Sequence, residues 1–184
     1  MQRLGFSEVW YDKGSENEGL TWANNLHTAV VDGNVSAYLY WIGAGGYGGD
    51  VPLVWLHDGS NNYTISATYW ATAHCSRFVR PGVVRVGVDA DGGGDNHSVR
   101  TSAFRNVDGS YVVQAIINGD SNVTVVLHAP PSRPRQFRSI TNNVTDKEPK
   151  LQELDGNDPS LDVTLLPRSL TTFHVQYRRR RDRT

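Results

Sequence analysis

The chain opens on a short apolar run, Leu4 to Glu8, followed by YDKGSENEG, a polar loop rich in Gly, Ser, Asn and acids. In GLTWANNLHTAVVDG the apolar residues Leu20, Ala23, Leu26, Ala29 and Val30 recur at the spacing that gathers them on one helical face, so a helix is predicted. Gly33 is its predicted stop, since glycine accepts the left-handed backbone that helix ends favour. SAYLYWIGAG is an almost unbroken apolar and aromatic run, which reads as a strand buried on both faces of a parallel sheet. Strand, helix and strand joined by short connections make a βαβ unit. One such unit cannot bury both faces of its own sheet.

From Gly43 to about Thr68 the chain reads as a loop containing Trp55, His57, Asp58 and Tyr63. The pattern then becomes alternating. RPGVVRVGVDA places Val84, Val86 and Val88 on one side and Arg85 and Gly87 on the other, as a half-buried antiparallel strand requires. VRTSAFRN, YVVQAIIN and NVTVVLHA follow, joined by turns at Val107-Asp108-Gly109-Ser110 and Asn118-Gly119-Asp120-Ser121, and read as a meander of hairpins. APPSRPRQFRS is a predicted loop or edge crossing, because proline cannot donate within a central strand. LDVTLLPRSLTTFHVQ supplies the closing strands, and RRRRDRT is a basic tail predicted to be disordered.

Composition sharpens this picture in a few places. The 184 residues, 38% of them hydrophobic, carry a formal net charge of -1, which suits an ordinary soluble protein. Glycines, tryptophans and tyrosines are plentiful against a single methionine, a profile shared by carbohydrate-handling proteins and by ordinary β-rich domains. The basic tail lacks aromatic interleaving and a basic partner region, so neither nucleic acid nor a membrane is assigned as a partner. Cys75 is the one cysteine, which excludes an intrachain disulfide; it reads as a small buried hydrophobe in an apolar strand, with no catalytic role. No apolar run reaches the roughly 20 residues that cross a bilayer, and MQRLGFSEVW lacks the layout of a signal peptide. N-x-S/T sequons nevertheless stand at Asn34, Asn62, Asn96, Asn122 and Asn143, where chance predicts about two.

Candidate chemistry is concentrated near the strand ends of the βαβ unit. Glu8 follows an apolar strand and precedes a polar loop, close in sequence to Trp10 and Tyr11. In a parallel barrel, residues at the C-terminal strand ends face the active site. Taken alone, Glu8 is more readily a surface or capping carboxylate than a catalytic one. Trp41 ends the second strand, where it would either stack on a sugar face or fill an interior, whereas Tyr38 reads as interior packing. The six histidines show no ligand spacing, and DADGGGDNHS lacks the alternation and closing Glu of a calcium loop, so no metal is assigned. Dinucleotide, Walker and G-x-S-x-G patterns are absent, and no cofactor is expected.

Three stretches together resemble fungal glycoside hydrolase family 30. FSEVW with the following GLTWANNLHTAVVDGNVSAYLYWIGAG is similar to that family's seventh and eighth barrel strands. ATYWATAHCSRFVRPGVVRVGV resembles the entry to its side β-sandwich, with SRFVRPG the most specific part, and LDVTLLPRSLTTFHV resembles its closing strands. The resemblance implies an α+β chain, the last βαβ unit of a (β/α)8 barrel over residues 1–67 and an antiparallel β-sandwich over 68–177, with the tail at 178–184. It further implies retaining hydrolysis of β-glycosidic bonds in a plant cell-wall polysaccharide such as xylan or β-1,6-galactan. Glu8 then corresponds to the nucleophile, and Trp41, Trp10 and Tyr11 are the expected substrate-binding residues. The family's general acid/base lies on an earlier strand, so this chain is expected to be a C-terminal fragment, monomeric and inactive alone. The alternative is a non-catalytic sandwich that binds carbohydrate or only supports the barrel. Family members act outside the cell, and an extracellular location is expected.

Overall fold

The computed structural model describes residues 4–6, 18–46, 52–88, 98–128, 136–143, 150–154 and 160–176. Strand β1 (Leu4–Phe6), helix α1 (Glu18–His27) with a π-helical turn at Thr28–Asp32, and strand β2 (Ala37–Leu39) form the expected βαβ unit, β1 and β2 running parallel with Phe6 opposite Leu39. Ala23 and Leu26 of the predicted helical face are buried. The helix end differs from expectation. Gly33 has φ −77° and its N–H reaches back five residues to Thr28 O at 2.8 Å, while Asn34 takes the left-handed conformation at φ 49°. Gly33 is needed for closeness instead, since a Cβ there would lie 2.8 Å from Ala29 O.

The run SAYLYWIGAG is a three-residue strand, not a long one buried on both faces. Tyr38 and Tyr40 pack towards the core beneath α1, whereas Leu39 is 54% and Trp41 73% exposed. Among the described residues β1 alone pairs with β2. The stretch expected as a loop holds a small sheet of β3 (Ala44–Gly45), β4 (Val54–Leu56) and β5 (Tyr63–Ile65).

Helix α2 (Ala67–Phe78) was not predicted, and it places Cys75 on a helix and not in a strand. Its buried positions are Thr68, Ala71 and His74, small or polar residues that leave no apolar stripe to read. Ser66 caps it, the side-chain oxygen accepting from Tyr69 N–H at 3.1 Å.

The remaining strands are β6 (Val84–Val86), β7 (Val99–Arg105), β8 (Tyr111–Ile117), β9 (Val123–His128), β10 (Gln136–Asn143), β11 (Lys150–Leu154), β12 (Ser160–Leu165) and β13 (Ser169–Gln176). They form a six-stranded antiparallel sheet, β11-β10-β13-β8-β7-β6, with the β9/β12 pair as a second sheet. The six-stranded sheet is a middle layer. Ala115, Ile117 and Phe173 face Leu165, Val123, Val125 and Val163 of the smaller sheet, while Ile116 and Leu170 pack on Trp22, Ala23 and Ala71 of the helices. Burial from both sides makes β8 and β13 almost continuously buried. Each fully buried side chain such as Ile117 or Phe173 contributes about 1.5–3 kcal/mol.

Three expectations within the sandwich change. Asp108-Gly109 turns a true hairpin between β7 and β8, but Asn118-Gly119 carries the chain out of the large sheet into the small one, because β9 pairs with β12 and not with β8. Residues Gln136–Ser139, assigned to a proline-rich loop, lie in β10 between two partners. The valines expected on one buried face do not form it: Val84, in edge strand β6, is 63% exposed, and Val88, beyond the strand, is 40% exposed.

SRFVRPG is the join between helix layer and sandwich. Val83 N–H donates to Arg80 O at 3.0 Å across a turn with Pro81 and then Gly82, whose φ of +83° is the glycine position of a type II turn. Asn106, at the end of β7, clamps this join. Its Oδ1 accepts from Arg80 N–H at 3.1 Å, and its Nδ2 donates to Phe78 O at 2.9 Å and to Ser110 Oγ at 3.1 Å. Asn106→Ala strands a buried donor and acceptor, and urea unfolding is expected to show a loss of about 2–4 kcal/mol. Asn61→Ala, at an exposed loop position, should change stability by less than about 0.5 kcal/mol.

Candidate functional site

Parallel pairing sends β1 and β2 out of their sheet at the same end. Glu8, Trp10 and Tyr11 follow that end of β1 in sequence and lie outside the described residues, as do the calcium-like stretch 89–97 and the basic tail. Trp41 follows β2 by two residues and, like Leu39, is exposed. Tyr38 and Tyr40 pack against the core. Tyr40 meets Trp22 edge-on, with ring centroids 4.7 Å apart, so these tyrosines are core.

The small sheet is pinned directly beside Trp41, since Leu53 N–H donates to Ile42 O and Val54 N–H to Gly43 O, both at 3.0 Å. On it Leu56 pairs with Tyr63, and these are 51% and 64% exposed. His57 Nε2 and Thr64 Oγ1 share a hydrogen bond of 2.7 Å across the same hairpin. Leu39, Trp41, Leu56 and Tyr63 are therefore exposed apolar side chains on connected segments. Sequence reading singled out Trp41 alone; the alternation of NNYTIS was the available signal for Tyr63, obscured by the short strand.

Beneath this surface two polar clusters hold α1 and α2 to the sandwich. Arg100 donates from Nη1 to Thr28 Oγ1 at 3.0 Å and from Nη2 to Asp32 Oδ2 at 2.8 Å, and Asn24 exchanges side-chain hydrogen bonds with Asn118. His74 Nδ1 and Thr172 Oγ1 are 2.7 Å apart, and Gln114 Nε2 donates to His74 O at 3.1 Å. Cys75 Sγ donates to Gln114 Oε1 at 3.5 Å; burial pushes the thiol up more than this bond pulls it down, so it stays protonated and is no nucleophile. Burial, then the Arg100 guanidinium, lower His27 below its usual value; Asp32 opposes them and Arg85 adds to them.

A groove of about 880 Å³ opens between the helices, β2 and the edge of the large sheet, lined by His27, Val30, Val35, Cys75, Val83 and Phe104 among others. Among the described residues that line it there is neither a carboxylate nor Trp41. The candidate site is the strand-end surface, where exposed Trp41 follows β2.

Residues 82–173, half of the chain, match the glycosyl hydrolase family 30 beta sandwich domain. Glucuronoxylanase XynC of Bacillus subtilis (strain 168) is 32% identical over 126 residues, 65% of this chain and 27% of that protein. Among solved structures, the catalytic domain of GH30 xylanase C from Talaromyces cellulolyticus superposes with a TM-score of 0.74 at 34% identity, covering 92% of this chain and 37% of the other. The glycoside hydrolase family 30 subfamily 8 xylanase Xyn30A from Clostridium acetobutylicum has a TM-score of 0.72 at 21% identity, over 94% of this chain and 42% of its own, and shows the fold. The chain thus spans between about a quarter and two fifths of these relatives' lengths.

Two measurements test the site's anatomy. Trp41→Ala should change unfolding free energy by less than about 0.5 kcal/mol, whereas Trp22→Ala, at a residue 3% exposed, should cost about 3–5 kcal/mol. For His27 the folded pKa lies below the unfolded value of about 6.5, so in that window the unfolded chain binds more protons. Stability should therefore fall as pH drops through about 6.5 and be fully restored above it. His27→Gln should flatten this part of the profile.

Proposed function

Because the chain belongs to glycosyl hydrolase family 30, through that family's beta sandwich domain, we propose that it forms part of a retaining xylan hydrolase and carries the nucleophile. The observation that supports this best is the parallel β1/β2 pair, whose shared C-terminal end is followed by Glu8 in one strand's continuation and by exposed Trp41 in the other's. In the proposed reaction, the Glu8 carboxylate attacks the anomeric carbon and forms a glycosyl ester while the leaving oxygen takes a proton. Water then cleaves that ester with net retention. The proton donor is a second carboxylate about 5 Å away, carried by barrel segments outside this stretch. Trp41 stacks on the apolar face of a sugar ring, and Trp10 and Tyr11 complete the aromatic surface.

Xylan is favoured over β-1,6-galactan as the substrate because glucuronoxylanase XynC and xylanase C are relatives more than 30% identical to this chain. A polymer of this kind is met outside the cell, and the proposed location is extracellular. The sandwich supports the barrel and is not itself the sugar-binding module. Among the described residues its exposed large apolar side chains are the aliphatic Val84, Val88, Val107, Val126 and Leu166, which offer no aromatic platform.

The test joins this chain to the preceding barrel segments of the Talaromyces cellulolyticus xylanase C and measures release of reducing ends from glucuronoxylan. Glu8→Gln should lower kcat by about a thousandfold or more with the fold intact. Unchanged turnover in Glu8→Gln removes Glu8 from the chemistry.

A further inference from the structure

Of the five sequon asparagines, Asn34, Asn62, Asn122 and Asn143 are described; Asn143 ends strand β10 opposite Ser169, whereas the other three differ in setting from the asparagines that hold the layers together. Asn24, Asn106 and Asn118 carry the side-chain hydrogen bonds that hold the layers together, and none of them begins an N-x-S/T triplet. Asn34, Asn62 and Asn122 do begin one, and all three are exposed and lie between regular elements. Asn34 stands in the left-handed turn that ends the π-helical segment. Asn62 lies in the β4–β5 loop, whose backbone is fixed by His57 N–H donating to Asn62 O at 3.2 Å. Asn122 lies in the crossover between the two sheets. The hydroxyl residues two positions on, Ser36, Thr64 and Thr124, are exposed as well.

We infer that Asn34, Asn62 and Asn122 are N-glycan acceptors, modified from an oligosaccharide carried on a polyprenyl diphosphate. The inference rests on the extracellular location proposed above, and it is independent of the catalytic assignment. In the transfer, the amide Nδ2 forms a bond to the anomeric carbon of the oligosaccharide. The bond from that carbon to the diphosphate oxygen breaks, the polyprenyl diphosphate leaves with the bonding pair, and the amide proton passes to a base of the transferase. A glycan is bulky and strongly hydrated, so the folded chain tolerates it only where the acceptor stands clear of packing. Glycosylation of Asn24, Asn106 or Asn118 would break the layer contacts; Asn62 and Asn122 are exposed, and Asn34 is exposed at the rim of the groove between the layers.

The test secretes the full chain from yeast behind a cleavable leader, which proves passage through the pathway independently of any activity. Glycans are released with peptide N-glycosidase in heavy-oxygen water, and peptides are mapped. Label is expected at positions 34, 62 and 122, with N34Q, N62Q and N122Q each removing one step of the mobility ladder. Chains that stay inside the cell are mapped after translocation into microsomes, where protection from added protease marks those that entered. Secreted or protected chains without label at these positions overturn the inference, and a single unlabelled position removes that site.

Discussion

The hydrogen bond between His74 and Thr172, 2.7 Å long and sealed from water, joins α2 to the middle of the six-stranded sheet. Everything else in the arrangement depends on that sheet being covered on both faces. Gln114, reaching His74 O from the neighbouring strand, makes the attachment a network, and an unpaired member would cost more than the bond contributes. Apolar packing of Trp22, Ala71, Ile116 and Leu170 provides the area, and the polar pairs set the register between helix and strand. The layer so fixed is the one on which β2 leans, through Tyr38 and Tyr40.

Two sequence motifs acquire physical roles in this frame. SRFVRPG ends α2, turns at Pro81-Gly82, and presents its backbone to Asn106, so its specificity is that of a cap and a turn gripped by one side chain. LLPRS makes the last crossing between the sheets, from β12 to β13, with Ser169 Oγ donating to Leu166 O at 2.6 Å. Arg168 N–H donates to Gly119 O at 3.1 Å on the first crossing. The chain is thus an α+β protein in which the last βαβ unit of a barrel is followed by an antiparallel sandwich, with α1 and α2 packed on the large sheet.

Much of this was legible in the residues, and the misses share causes. The α1 stripe, the β7–β8 hairpin and the parallel β1–β2 pair follow from period and turn chemistry. Helix α2 was hidden because it buries Thr68 and His74, residues that a hydrophobic pattern scores as outside. The Asn118-Gly119 turn was misread because a turn signal does not say which sheet the next strand joins. Trp41 stands between two readings in the sequence, and in the structure it is exposed. Glu8 owes its assignment to family resemblance joined to strand-end position, since one carboxylate after a short strand carries no chemistry of its own.

The central claim is that Glu8 becomes covalently glycosylated. It is tested by trapping: this chain, joined to the barrel segments of the Talaromyces cellulolyticus xylanase C, is incubated with an activated 2-deoxy-2-fluoro xylobioside, digested and mapped by mass spectrometry. A glycosyl ester is predicted on the peptide containing Glu8, at Glu8 itself. Label on another carboxylate, or release of product with inverted anomeric configuration, would contradict the account.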